Sequence, residues 1–233
     1  MFEHLFARQD GLDALRTAIA TASLTSALVY LPFVAKPSSP LRTAIKTFTI
    51  GILTLLPLTY LGGGPDMALT VLAIALGLSA LGDFFLALKR QEHFFIPGLG
   101  SFLAAHIAYL LVFVPRAVIP QGWTLVAVLG TVMAAGAMIT WLAPSLGRLR
   151  GPVFAYFAII MAMVAAALSM PEAPWVLGAG AVLFAISDSL IAVRKFKRQL
   201  PYINSAIWVT YCAAQFMIVA GLLAVLVPAG VAA

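Results

Sequence analysis

The stretch MALTVLAIALGLSALGDFFLAL, which covers residues 67–88, decides the fold class of this chain. Among its 22 residues only Asp83 carries a charge, and most of the others are apolar. A helix of about 20 apolar residues is long enough to cross the hydrocarbon core of a bilayer. We therefore expect this stretch to be a membrane-spanning helix with one carboxyl group inside the membrane.

Seven further apolar runs of similar length flank this stretch, separated by short segments rich in proline, glycine and charged residues. Proline and glycine at such boundaries end helices, and the strict alternation of polar and apolar residues that marks a half-buried strand is absent from the sequence. We therefore predict an all-α integral membrane protein, a single polytopic domain over 1–233. Its eight predicted transmembrane helices are 17–35, 41–61, 67–88, 94–114, 122–143, 152–170, 174–193 and 202–228.

The composition independently excludes most soluble classes of protein. Hydrophobic residues make up 63% and charged residues 9% of the chain, whereas ordinary soluble proteins have about 45–50% and about 25%. The net charge of +6 comes from short basic clusters between the apolar runs, which indicates membrane topology rather than nucleic-acid binding. The single cysteine, Cys212, excludes an intramolecular disulfide and a cysteine-based zinc site. We predict membrane lipids around the chain, no nucleic acid and no protein partner.

The uneven distribution of basic residues over the loops sets the expected orientation. Cytoplasmic loops carry an excess of Lys and Arg, and eleven of the 14 basic residues lie on one side of the predicted bundle. We expect a multi-pass protein of the inner (cytoplasmic) membrane, with the odd-numbered loops in the cytoplasm and both termini outside. Residues 1–16 are expected to form an amphipathic lead-in to the first spanning helix. The eleven residues are Lys36, Arg42, Lys46, Lys89, Arg90, Arg148, Arg150, Arg194, Lys195, Lys197 and Arg198.

The sequence also contains a candidate internal repeat. Residues 78–90 align without gaps to residues 183–195, and each segment carries one Asp near its middle and two basic residues at its end. The segments lie on the third and seventh predicted helices, which run parallel across the membrane, and parallel repeats occur in membrane folds. We predict a four-plus-four duplication with halves 13–114 and 122–228. Chance similarity between two apolar helices is the alternative.

Asp83 and Asp188 are the two acidic residues that fall inside predicted spans, whereas the other six lie in loops or near the chain ends. A charged side chain at the centre of a spanning helix costs about 2.5–3.5 kcal/mol on insertion scales, so such a residue is a functional candidate. Each precedes a basic cluster by six residues, which at about 1.5 Å rise per residue places it roughly 9 Å inside the cytoplasmic interface. The alternative is that both carboxyls only form hydrogen bonds between packed helices.

Further polar side chains are predicted at a depth similar to that of these two carboxyls. Residues three or four apart on a helix share one face, which groups His106 with Tyr109 and Tyr211 with Gln215. We expect one polar cavity in the cytoplasmic half of the membrane, with the two carboxyl groups within roughly 10 Å of each other. Beside the two aspartates, its expected members are Lys46, His106, Tyr109, Tyr156, Tyr211 and Gln215.

Each of these residues also has a purely structural interpretation. Lys46 lies near a helix end and is able to extend to the interface, tyrosines often serve in packing, and Gln215 is a common former of interhelical hydrogen bonds. His106 is the one histidine inside a predicted span, too few for a histidine-based zinc site, and we predict no metal and no cofactor. Four glycines are expected to permit close helix packing: Gly98, Gly100, Gly178 and Gly180.

Two sets of short motifs surround the two intramembrane aspartates. The first set is Gly82-Asp83 followed by Gly98-Leu99-Gly100-Ser101-Phe102, His106 and Tyr109. The second set is Ser187-Asp188-Ser189-Leu190 with Tyr211 and Gln215. Together they resemble the YhhN/TMEM86 family of lysoplasmalogenase-type multi-pass membrane proteins. The resemblance covers roughly residues 30–228, and the two Asp motifs are its most specific parts.

The resemblance implies eight spans and hydrolysis of the vinyl ether bond of a lysoplasmalogen, an ether lysophospholipid, to a fatty aldehyde and a glycerophospho-head-group alcohol. It also implies that Asp83 and Asp188 are the catalytic acids. Vinyl ether cleavage needs a general acid and a carboxylate that stabilises positive charge and activates water, which paired carboxyls in unlike protonation states supply. The supporting polar residues that it implies are Lys46, His106, Tyr156, Tyr211 and Gln215.

Two other classes of function stay open from the sequence. In a proton- or cation-coupled transporter of small molecules or lipids, Asp83 and Asp188 would bind protons or cations. In a lipid-binding or scaffolding protein, the same polar residues would catalyse no reaction. Helices broken at mid-membrane would favour a carrier, but the third and seventh spans contain no internal proline. A closed polar pocket that opens to the lipid would favour the enzyme.

Overall fold

A computed structural model gives the structure of the chain and describes residues 5–62, 64, 66–89 and 91–227. Within these residues eight helices are long and apolar enough to cross a membrane, and no strand is found. This confirms the prediction of an all-α multi-pass membrane protein with eight spans. Arg90 of the predicted basic side, and residue 228 at the end of the second predicted repeat half, lie outside the described residues. The spans are Asp13–Phe33, Pro40–Leu58, Met67–Ala87, His93–Arg116, Gly122–Ser145, Gly147–Leu168, Trp175–Phe196 and Ile203–Leu226.

The described α-helices follow the spans closely, and one span is divided into two helices. The break in the second span falls at Thr54, because Pro57 lacks the N–H that would bond to the carbonyl four residues earlier. At the break, Thr54 donates both its N–H and its hydroxyl to the carbonyl of Ile50, at 3.1 and 3.2 Å. The helices are α1 Asp13–Tyr30, α2 Pro40–Leu53, α3 Leu55–Leu58, α4 Met67–Ala87, α5 Gln91–Phe113, α6 Gly122–Leu142, α7 Arg150–Leu168, α8 Trp175–Phe196 and α9 Ile203–Leu226.

Two helix starts are fixed by side chains that the sequence places directly before an apolar run. Ser39 accepts a hydrogen bond from the N–H of Arg42 at the start of α2, where Pro40 occupies the first helical position. Asp66 accepts a hydrogen bond from the N–H of Leu69 at the start of α4. Such caps satisfy N–H groups that have no partner inside the helix.

The structure divides into two compact units. The first contains the described parts of Met1–Val112 and Leu222–Ala233, and the second contains Phe113–Gly221. In the first unit α2 packs against both α1 and α4, and in the second α7 packs against both α6 and α8. The four-plus-four duplication with halves 13–114 and 122–228 stays a prediction.

Close helix approach within each unit depends on glycines. A Cβ atom at Gly98 of α5 would lie 2.8 Å from the Leu86 side chain of α4, and one at Gly178 of α8 would lie 2.7 Å from Leu168 of α7. At Gly180 it would lie 3.0 Å from the backbone nitrogen of Ile218 in α9. These three glycines confirm the packing prediction. For Gly100 the prediction is wrong, because a Cβ there would meet no atom within 4 Å.

A network of charged side chains surrounds Arg16 at the start of α1 in the first unit. Arg16 is 1% exposed, and its guanidinium donates to the carboxylates of Asp10 at 2.6–2.7 Å and Asp13 at 3.0 Å and to the Thr59 carbonyl at 2.9 Å. It also lies 4.2 Å from the centre of the Tyr60 ring. The hydrogen bonds from Arg16 lower the pKa of Asp10 from 3.8 to about 2. The segment expected as an amphipathic lead-in therefore holds a buried arginine whose charge is balanced by its own neighbours.

Candidate functional site

In the first unit Asp83 forms an ion pair with Lys46. The ammonium nitrogen of Lys46, on α2, lies 2.9 Å from Oδ1 of Asp83, on α4. The Asp83 side chain is 2% exposed and the Lys46 side chain 16% exposed. Transfer of an unpaired charge out of water is costly, and in this pair the two opposite charges compensate each other between the helices.

The register of α2 against α4 is what brings Lys46 to Asp83. The hydroxyls of Ser38 and Thr43 both donate to the carbonyl of Ala87, at 2.5 and 3.4 Å, near the end of α4. Lys46 follows Thr43 by three residues, and Asp83 precedes Ala87 by four. Because residues three or four apart lie one turn along a helix, the antiparallel helices set the ammonium beside the carboxylate. The interpretation of Lys46 as a residue that only extends to the interface is therefore not needed.

Helix α5 brings a buried imidazole into the same unit. Nδ1 of His106 lies 2.6 Å from the carbonyl oxygen of Phe102, and His106 is fully buried. Because a carbonyl only accepts, the proton sits on Nδ1, which leaves the lone pair of the neutral ring on Nε2. The Phe102 ring packs against Gly82, directly before Asp83. A Cβ atom added at Gly82 would lie only 2.6 Å from this ring. Tyr109, one turn beyond His106, is also fully buried.

In the second unit Asp188 accepts a hydrogen bond from Tyr156. The hydroxyl of Tyr156, on α7, donates to Oδ2 of Asp188, on α8, at 2.6 Å. Both residues are buried. The neighbouring Ser187 donates its hydroxyl to the carbonyl of Ile207 at 3.2 Å and so joins α8 to α9. The carboxyl group thus accepts from a phenol of α7, and the residue before it ties α8 to α9.

The remaining predicted residues of the second unit lie on α9. The ring of Tyr211 makes an edge contact with Phe184 of α8 at 5.6 Å between centres, and Trp208 lies beside it at 6.1 Å. Tyr211 is buried and Gln215, one turn further, is fully buried. Near the end of α8, Arg194 donates to the Asn204 side chain at 2.7 Å. These contacts fix the face of α9 that carries the predicted polar residues.

The structure therefore pairs each predicted aspartate with one of the predicted supporting residues, within its own unit. The prediction that both carboxyl groups line one cavity concerns the two units together and stays a prediction. Sequence reasoning missed Ser38 and Thr43, whose only signal is their spacing from the site residues, and named Ser187 only as part of the motif around Asp188. Among the described residues no three His, Cys, Asp or Glu side chains form a group that could hold a metal ion.

The two carboxyl groups have donors of different charge. An ammonium beside a buried carboxylate balances its negative charge, whereas a phenol supplies a hydrogen bond and no charge. Both contacts help to orient the carboxyl group. Groups held in this way are suited to proton transfer, which in proteins is performed by positioned carboxyl and imidazole side chains.

Comparison with known proteins adds a family and a set of relatives. A model of the YhhN family matches residues 41–222. A lysoplasmalogenase of Mycobacterium bovis is 37% identical over 152 residues, which cover 63% of this chain and 58% of the relative. Lysoplasmalogenase TMEM86A of Bos taurus is 35% identical over 158 residues, 64% of this chain and 63% of the relative. Lysoplasmalogenase TMEM86B of Homo sapiens is 34% identical over 145 residues, which cover 62% of this chain and 59% of the relative.

These alignments leave part of each relative uncovered. The chain spans about three fifths of the length of the curated relatives that it matches. No solved structure matches the chain.

Proposed function

The chain belongs to the YhhN family, and we propose that it is a membrane-embedded hydrolase that cleaves the vinyl ether bond of lysoplasmalogens. The products are a fatty aldehyde and a glycerophospho-head-group alcohol. The names of the relatives support the substrate class. The observation that carries the proposal is the buried Asp83–Lys46 pair, a charged group held inside a span at 2.9 Å from its partner. Such groups are expensive in a membrane and mark functional sites.

The proposed chemistry follows from the electronic structure of a vinyl ether. A carboxylic acid transfers its proton to the β carbon, and the α carbon and ether oxygen then share the positive charge of an oxocarbenium ion. Water adds to the α carbon and loses a proton to a carboxylate. The resulting hemiacetal collapses to the aldehyde and the free alcohol. One acid and one carboxylate are needed, as in the hydrolysis of glycosides.

We assign these two roles to Asp83 and Asp188, each of which is buried. Lys46 and Tyr156 orient the two carboxyl groups through contacts of 2.9 and 2.6 Å. The other polar groups on α5 and α9 are proposed to bind the polar part of the lipid or to support the two aspartates. They are His106, Tyr109, Tyr211 and Gln215. The direct test is aldehyde release by the purified protein from a lysoplasmalogen.

We propose the inner (cytoplasmic) membrane as the location, with the odd-numbered loops in the cytoplasm and both termini outside. In the second unit, exposed aromatic residues mark the two membrane interfaces, and basic residues at one of them support this orientation. Trp123 and Trp175, at the starts of α6 and α8, are 81% and 73% exposed, as in the aromatic belt of a membrane interface. Near the opposite end, the ammonium of Lys197 lies 4.9 Å from the centre of the Trp141 ring, so basic and aromatic residues mark the proposed cytoplasmic interface.

Cysteine labelling tests this orientation. Cys212 is the single cysteine and is buried, so the wild-type protein gives a low background. Glu172 and Gln199 are exposed and lie in loops at opposite ends of α8. In intact spheroplasts Glu172→Cys is expected to react with a membrane-impermeant maleimide, and Gln199→Cys is expected to react only after lysis. The reverse pattern would place the basic loops outside the cell.

A further inference from the structure

We propose that Lys46 holds Asp83 as the carboxylate of the reaction, which leaves Asp188 as the residue that donates the proton. This assignment rests on the proposed vinyl ether hydrolysis, which needs one carboxyl group in each form. It extends that proposal because it separates the roles of two aspartates that the sequence treats as equivalent. Lys46 is a positioning residue in this scheme, since it acts through Asp83.

The first step of the inference is the fixed position of the ammonium. Ser38 and Thr43 anchor the start of α2 to the carbonyl of Ala87. This anchor sets Lys46 at 2.9 Å from Oδ1 of a carboxyl group that is 2% exposed. If Asp83 were the neutral acid, the ammonium would lose its counter-charge among packed helices, at a large cost in free energy. The ion pair therefore favours the ionised form of Asp83.

The second step is the different partner of Asp188. Tyr156 donates its hydroxyl hydrogen to Oδ2 of Asp188 at 2.6 Å. A neutral Asp188 that carries its proton on Oδ1 leaves Oδ2 able to accept this bond. Tyr156 orients the acid just as Lys46 orients the carboxylate.

The proton balance of this assignment closes over one turnover. The carboxyl proton of Asp188 moves to the β carbon of the vinyl ether, and the carboxylate of Asp83 takes a proton from the water that adds to the α carbon. When the hemiacetal collapses, its hydroxyl proton returns to Asp188, the carbon–oxygen bond to glycerol breaks, and Asp83 gives its proton to the leaving oxygen. Water and substrate become aldehyde and alcohol, and both residues regain their starting forms.

Rescue by formate tests the assignment. In Asp83→Ala the carboxylate is removed and Lys46 stays beside the space that it leaves, so a small anion should bind there and replace the lost carboxylate. We expect sodium formate to raise the rate of aldehyde release by this variant at least about tenfold. This would restore part of the rate lost with the carboxylate, since acid–base catalysis contributes roughly 10²–10⁴-fold. Asp188→Ala should gain nothing, because the formate anion carries no proton to donate. Sodium chloride at equal concentration controls for ionic strength.

Two further variants separate the role of Lys46 from a purely structural one. Adding Lys46→Met to Asp83→Ala should abolish the formate rescue, and Lys46→Arg in the otherwise wild-type chain should retain most of the turnover because it keeps the charge. Where Asp83→Ala is not monodisperse in detergent, Asp83→Ser takes its place. Rescue of Asp188→Ala, or no rescue of a folded Asp83 variant, would overturn the assignment. A wild-type protein that releases no aldehyde would instead overturn the proposed function.

Discussion

Asparagine in place of Asp83 or Asp188 is expected to lower aldehyde release at least about a hundredfold in each single variant, since general acid–base catalysis is worth roughly 10²–10⁴-fold. Asparagine is nearly isosteric with aspartate and keeps hydrogen-bonding capacity, but it neither donates nor accepts the transferred proton. Turnover should therefore fall far more than stability. The measurement is steady-state aldehyde release beside thermal unfolding of each purified variant.

The double variant and a surface control sharpen this prediction. If the two carboxyl groups act in one reaction, removing both should cost much less than the product of the two single losses. Glu172→Gln, which removes an exposed loop carboxylate, should leave turnover unchanged. Near-wild-type turnover in either Asn variant would defeat the paired-carboxylate mechanism. Losses that follow the melting temperatures would indicate a packing role for the two aspartates.

Valine in place of Gly180 is expected to destabilise the second unit severely. A Cβ at this position would lie 3.0 Å from the backbone nitrogen of Ile218 and 3.1 Å from the carbonyl oxygen of Ala214, so α8 and α9 would have to separate. Overpacking of a packed interior costs about 1–3 kcal/mol even where side chains are able to yield, and backbone atoms yield less than side chains. We expect a large fall in melting temperature or loss of monodisperse protein.

The matched control for this substitution is Gly130→Val on α6. A Cβ at Gly130 would meet no atom within 4 Å, and the residue is exposed on a spanning helix. The same added side chain should therefore leave the melting temperature almost unchanged. Thermal unfolding of both variants in one detergent compares them directly. Equal melting temperatures would show that α8 and α9 do not pack as closely at Gly180 as the structure has them.

The eight spans could be predicted from the sequence because their signal is local. A run of about 20 apolar residues has few alternatives in a membrane, and proline or glycine marks its ends. The boundaries shift by a few residues, as for the first span, which begins at Asp13 instead of at the predicted residue 17. The break at Thr54 was not predicted, although Pro57 is its physical cause and is visible in the sequence.

The contacts of the candidate site depend on helix register, which is not local. The sequence places Lys46 and Asp83 at a similar depth, but their pairing depends on Ser38 and Thr43, which bond to Ala87 more than 40 residues away. The burial of Arg16 was missed for a related reason. Charged residues near a chain end are typical of an exposed segment, and only the folded unit shows that Asp10, Asp13 and Thr59 surround the guanidinium.

One measurement tests most directly whether this chain hydrolyses a vinyl ether by protonating carbon. The purified protein, in detergent or in lipid nanodiscs, is incubated in D2O buffer with a lysoplasmalogen and, separately, with the saturated ether analogue. The aldehyde is trapped at once by reduction and analysed by mass spectrometry. We predict equal amounts of aldehyde and glycerophospho-head-group from the vinyl ether, one deuterium on the carbon next to the former carbonyl, and no product from the saturated ether. Absence of aldehyde above the level of the Asp83→Asn and Asp188→Asn variants, or aldehyde without deuterium at that carbon, would contradict it.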